Sequence, residues 1–144
     1  MPAISGENSA LDSSGKIDGT DKVKWSRNDA APYVASATRY GGQLYLTKSL
    51  GGIMTSVDVE SGEVIIPETR LSKIQQMYAS PVAAGNHVYF TGRDGVTTVI
   101  KHGPEFEEVS VNELGEPVDA SPAISGNEIF LRAASHLYCI SGEE

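Results

Sequence analysis

Apolar and polar residues alternate in short runs along most of this chain, and each run stops at a glycine, a proline or a small polar cluster. Short period-two runs punctuated by turn residues are the mark of antiparallel strands. The pattern predicts strands over 33–38, 44–47, 53–59 and 63–66, then over 78–83, 87–91, 96–101 and 107–111. A last group follows over 118–124, 128–133 and 136–140. Tyr40-Gly41-Gly42-Gln43, Gly51-Gly52, Glu60-Ser61-Gly62 and Arg93-Asp94-Gly95 read as the turns between them, because glycine accepts the positive φ that other residues resist. Pro67 to Gln76 is polar and reads as a surface connection rather than a helix of consequence.

The strand groups repeat one another in register. Ala35-Ser36-Ala37 to Leu46, Ala79-Ser80-Pro81 to Phe90 and Ala120-Ser121-Pro122 to Leu131 share one template. In it, a serine precedes a glycine and then an aromatic residue between two apolar ones. Serines 36, 80 and 121, glycines 41, 85 and 126, and aromatics 45, 89 and 130 all advance by 44 and then by 41 residues. A period just above 40 with several short strands per unit indicates propeller blades, each a small sheet that cannot bury its faces alone. The expected fold is therefore an all-β propeller of four-stranded antiparallel blades, with about three and a half blades present.

As a single partial propeller, the chain divides into a truncated blade over 1–31, blades over 32–76 and 77–117, and an incomplete last blade over 118–144 that lacks its outer strand. Closed propellers carry roughly four to eight blades. The chain therefore reads either as part of a longer protein, with the missing blades as its partners, or as one half of a ring closed by a homodimer. An open blade edge exposes unpaired backbone groups that something should cover.

Charge narrows the partners. The net charge is −8, with −1 over 1–31, zero over 32–76, −4 over 77–117 and −3 over 118–144. Nucleic-acid surfaces need clustered Lys and Arg, and no such cluster exists, so nucleic acid is not an expected partner. The acidic surplus reads as a surface that keeps the protein from self-adhesion. No apolar run approaches the roughly 18 residues of a membrane span. Cys139, the single cysteine, has no intrachain disulfide partner, and its place in Leu137-Tyr138-Cys139-Ile140 predicts a small buried hydrophobe.

Two turns carry a family resemblance. Asp12-Ser13-Ser14-Gly15-Lys16 with Trp25 downstream, and Ser56-Val57-Asp58-Val59-Glu60-Ser61-Gly62-Glu63, resemble the Ala-x-Asp-x-x-Thr-Gly-Lys-x-x-Trp docking motif of the pyrroloquinoline-quinone-like β-propeller repeats. The inner Ala-Ser-Pro and the glycine followed by Val-Tyr-Phe resemble the rest of that repeat, over roughly residues 10–144. The resemblance implies a structural docking motif at Asp12, Gly15, Trp25, Asp58, Ser61 and Gly62. Its Asp and Ser would hold the turn by side-chain to backbone hydrogen bonds, and its tryptophan would pack between blades. The motif departs from the pattern where Ile66 stands at a tryptophan position and where Lys101-His102-Gly103-Pro104-Glu105 replaces the Asp and Thr-Gly.

The resemblance implies no activity by itself, since the family holds quinoprotein dehydrogenases, the scaffold lipoprotein of outer-membrane protein assembly and many other bacterial proteins. The dehydrogenases resemble one another in a vicinal cysteine pair, a tryptophan floor and a calcium held by Glu, Asn and Asp. This chain has one cysteine, and its one tryptophan stands at the docking position, so no cofactor is expected. His87, His102 and His136 are scattered, without the spacing of a transition-metal site, and no nucleophile elbow or phosphate loop occurs. With no catalytic, cofactor or metal residues assigned, the expectation is a non-enzymatic scaffold that binds a protein or ligand, in a bacterial and, from the resemblance, periplasmic setting. The alternative is a fragment or subunit of a quinoprotein-type oxidoreductase whose cofactor residues lie on other blades. Propellers bind through loops near the central channel. Tyr33, Tyr78 and Asp119, which just precede the inner strands, are the candidates for such a rim, with the two tyrosines expected to pack inward.

Overall fold

The computed structural model describes residues 23–27, 32–48 and 50–142, and no helix occurs among them. The first sheet is an antiparallel meander of β1 (Thr38–Tyr40), β2 (Gln43–Lys48), β3 (Ile53–Asp58) and β4 (Val64–Arg70). The second repeats it with β5 (Val82–Ala84), β6 (His87–Thr91), β7 (Val96–Lys101) and β8 (Glu108–Glu113). The third sheet has three strands, β9 (Ala123–Ser125), β10 (Glu128–Arg132) and β11 (Leu137–Ser141), with β11 at one edge.

Each sheet begins with the same hairpin. Tyr40 faces Gln43, Ala84 faces His87 and Ser125 faces Glu128 across a two-residue loop. Gly41, Gly85 and Gly126 open these loops, each at a φ of 57°. That left-handed conformation is costly for any residue with a Cβ, which explains why glycine recurs at this step of the repeat.

Neighbouring sheets are joined at their inner ends and packed face to face. The Ser36 N–H donates to Ser80 Oγ at 2.8 Å, and the Ser80 N–H donates to Ser121 Oγ at 2.8 Å. Thr38 Oγ1 donates in the same direction to the Pro81 carbonyl. Outward from this seam, Tyr45, Met54 and Ile66 of the first sheet meet Val88, Phe90, Val96 and Ile100 of the second. Tyr45 and Phe90 lie edge to face, with centroids 6.5 Å apart. The polar end of Tyr45 is satisfied by a hydrogen bond of 2.8 Å to His102 Nδ1, and burial pushes its phenol pKa up. Gln43 Nε2 donates to the Gly103 carbonyl beside it and Gln43 Oε1 accepts from Ser56 Oγ, so this buried polar strip is paired.

Several sequence expectations need correction. The inner strands start later and run for only three residues each, not from Tyr33, Tyr78 or Val118. Prolines 32, 81 and 122 offer no N–H, and the Ser36 and Ser80 N–H groups that would enter a ladder are committed across the sheets instead. The outer strand β4 continues through Pro67 to Arg70. Proline is tolerated because β4 is an edge strand with a bulge at this point, where the Ile66 N–H donates to Ser56 Oγ. Nor is the connection after it a polar crossing: Leu71, Ile74 and Met77 are buried in the core between the first two sheets. Cys139 is exposed rather than buried, and so is Leu137 on the same face of β11, which no sheet covers among the described residues.

The core yields a stability test. Phe90→Ala is expected to cost about 3–5 kcal/mol, as a buried aromatic replaced by a cavity. His102→Ala is expected to cost about 1–3 kcal/mol by leaving the Tyr45 hydroxyl unsatisfied. Urea unfolding midpoints measure both, with exposed Val109→Ala as the reference. A Phe90→Ala protein no less stable than Val109→Ala would refute the inter-sheet core.

Candidate binding rim around Arg93

The turn from β6 to β7 sits at the inner end of the second sheet, where two inter-sheet connections pass it. It is closed by the Gly92 N–H donating to the Val96 carbonyl at 2.7 Å, and Gly95 holds a φ of 80°. A Cβ on Gly95 would lie 2.2 Å from the Glu116 carbonyl oxygen, so the turn touches the third repeat's entry through backbone alone. The Arg93 N–H donates to the Gln76 carbonyl at 2.9 Å, and the Val118 N–H donates to the Arg93 carbonyl at 3.3 Å. The Arg93 backbone is thus fixed to both connections.

Its side chain gathers residues from each. The guanidinium lies 4.2 Å above the Tyr78 ring, in cation–π contact. Arg93 Nε donates to Asp119 Oδ1 at 2.6 Å and Nη2 to Oδ2 at 3.3 Å, while Nη1 donates to Gln76 Oε1 at 3.3 Å. The hydrogen bond from Arg93 holds the Asp119 carboxyl below the usual carboxylate range, and the same bond raises Arg93. On its other side, Asp119 lines an open cleft of about 320 Å³ with Pro117, Ala120 and Arg132. A fixed ring, a fixed guanidinium and a half-exposed carboxylate make a polar, aromatic surface able to accept donors from a bound chain.

Arg93 touches two of the three rim candidates, Tyr78 and Asp119. Arg93 reads in the sequence only as a hairpin residue; the one signal for it is that an Asp-Gly hairpin lies 26 residues from Asp119 with a long cation at its first position. Tyr33 is not part of the group. It is exposed instead of packing inward.

Of the residues expected to form a docking motif, Asp58, Ser61 and Gly62 occupy the β3–β4 turn. Asp58 Oδ1 accepts from the Ser61 N–H at 2.8 Å, from Ser61 Oγ at 2.9 Å and from the Glu60 N–H at 3.0 Å. The Ser61 backbone bond, then the hydroxyl, lowers its pKa. Gly62, at a φ of 75°, lies under the Trp25 indole, where a Cβ would come within 2.6 Å of Trp25 Cδ2. Trp25 Nε1 donates to the Val59 carbonyl at 3.1 Å, and the ring packs on Leu46 and Val57. Asp12 and Gly15 lie outside the described residues. Among the described residues no group of three or more His, Cys, Asp or Glu side chains could hold a metal ion.

A second ionisable centre latches the third sheet. Glu116 accepts from Tyr138 Oη at 2.8 Å, pairs with His136 Nδ1 at 3.0 Å and accepts from the Ser135 N–H. Burial alone would raise its carboxyl, but these donors outweigh it and hold the pKa at about 2.

Comparisons with known proteins address the fold. No protein-family model matches the chain, and no curated protein matches it. Among solved structures, the chain is similar to BamB from Moraxella catarrhalis, with a TM-score of 0.65 and 19% identity over 82% of this chain and 36% of that one. It is also similar to hydrazine synthase of Kuenenia stuttgartiensis, with a TM-score of 0.56 and 15% identity over 70% of this chain and 30% of that one. The chain spans about a third of the length of the structures it matches.

Two outcomes are expected. Gly62→Ala strains a positive φ and drives a Cβ into the indole, so fluorescence of Trp25, the single tryptophan, should shift to the red with increased acrylamide quenching. An unchanged spectrum would mean that the ring does not rest on Gly62. For Glu116, the folded pKa lies below the unfolded one, so its stabilisation is present above about pH 4.5 and is lost as pH falls toward about 2. Urea midpoints over that window should fall less steeply in Glu116→Gln than in the unaltered chain; parallel slopes would exclude the latch. These similarities, with three stacked antiparallel sheets in one chain, place the protein in the β-propeller fold.

Proposed function

We propose that this chain is part of a pyrroloquinoline-quinone-like β-propeller that acts as a non-enzymatic scaffold for a protein partner in a bacterial cell envelope. The observation that carries the reading is the Arg93 rim. Tyrosine and arginine dominate the energetics of protein interfaces, and here both are already ordered before any partner arrives. The similarity to BamB supports a protein-binding propeller, and the family resemblance of the docking motif supports the repeat type and the envelope setting. Asp119, with the adjoining cleft, gives the rim acceptor character suited to a segment rich in N–H donors or basic side chains.

The test is photo-crosslinking from Ala134, a cleft residue, in envelope extracts of the source bacterium. Discrete crosslinked partners are expected, and Tyr78→Ala with Arg93→Ala should weaken their capture roughly tenfold or more. Both side chains are partly exposed, so the thermal midpoint should change little. Capture that the two substitutions leave unchanged would refute the rim.

A further inference from the structure

We infer that the cleft beside Asp119 is the seat of one arginine side chain from a partner protein, whose guanidinium takes the place that Arg93 holds one repeat earlier. This deepens the rim reading and rests on it.

The repeat shows how the cleft arises. Ala134 stands 41 residues after Arg93, and Asp119 stands 41 after Tyr78. The backbone is held alike at both places. The Arg93 N–H donates to the Gln76 carbonyl at 2.9 Å, and the Ala134 N–H donates to the Pro117 carbonyl at 2.9 Å, with Pro117 again 41 residues after Gln76. In the second sheet a long cation leaves this backbone, lies over the ring of Tyr78 and reaches Asp119. In the third sheet only a methyl group leaves it, so the space that a guanidinium fills above Tyr78 is left open beside Asp119. That space is the cleft of about 320 Å³ lined by Pro117, Asp119, Ala120, Arg132, Ala133 and Ala134.

The lining selects the occupant. A carboxylate offers about four acceptor sites, and Arg93 takes two of them on Asp119, through Nε on Oδ1 and Nη2 on Oδ2. The Asp119 side chain is still 59% exposed, so it can accept from a second donor. Its hydrogen bond from Arg93 lowers the carboxyl pKa, which keeps the acceptor ionised. Pro117, Ala120, Ala133 and Ala134 bring no hydrogen-bonding side chain to the rest of the lining. Such a surface suits a planar, weakly hydrated guanidinium better than a compact, strongly hydrated ammonium. Arg132, exposed and part of the same lining, opposes a second cation. Like charges brought together at an interface are costly, so the fitting segment carries a single arginine among uncharged or acidic residues and not a basic run.

The experiment uses the whole 144-residue chain, isotope-labelled, with the amide resonances of Ala120 and Ala134 followed by NMR. The probe is the capped peptide acetyl-Gly-Arg-Gly-amide. Saturable shifts at both amides are expected, with the citrulline peptide, which keeps the shape and loses the charge, binding roughly fivefold or more weakly. The lysine peptide should also bind more weakly than the arginine peptide. Ala134 is exposed, so Ala134→Arg should fold and fill the cleft from within, abolishing the peptide-induced shift at Ala120, whereas Ala134→Ser should preserve it. The inference is overturned by the lack of a saturable shift, by equal binding of the arginine and citrulline peptides, or by an Ala134→Arg chain that binds the peptide as the unaltered chain does. Partner capture that depends on Tyr78 and Arg93, in a chain whose cleft takes no arginine peptide, would sink this assignment and leave the rim reading standing. Peptide binding in a chain whose partner capture ignores both residues would do the reverse.

Discussion

Face-to-face burial of one small sheet on the next is the constraint on which the rest of this protein depends. A lone four-stranded meander with two apolar faces cannot bury either of them by itself. Here Tyr45, Met54 and Ile66 of the first sheet are buried only because Val88, Phe90 and Ile100 of the second lie over them. The tyrosine adds a requirement of its own, since its hydroxyl must find a partner at the end of a buried side chain. His102 meets it from the connection between β7 and β8.

The serine seam sets how the sheets are spaced at their inner ends. Because Ser80 accepts from Ser36 and donates to Ser121, successive inner strands are held at one offset, and the turns and connections at that end are brought to fixed distances. Arg93, anchored by its backbone to Gln76 and Val118, then has Tyr78 beneath it and Asp119 in front of it without a further element to position them. A surface so built is rigid, and rigidity lowers the ordering cost of binding a partner.

Much of this was legible in the chain itself. The three anchor series, serines 36, 80 and 121, glycines 41, 85 and 126 and aromatics 45, 89 and 130, determined an all-β repeat of short antiparallel strands, because glycine at a left-handed turn and period-two alternation follow from local backbone sterics. The limits of β6 and β7 were readable to the residue for the same reason. Tyr78 and Asp119 stood out by their position ahead of inner strands, with no sign in the sequence that they share one guanidinium. Only the tertiary structure decided that Arg93 joins them, that Leu71, Ile74 and Met77 are core rather than surface, and that Cys139 is exposed. Those outcomes depend on which face of a sheet meets a neighbour, and a strand's alternation marks two faces without saying which of them another sheet will cover.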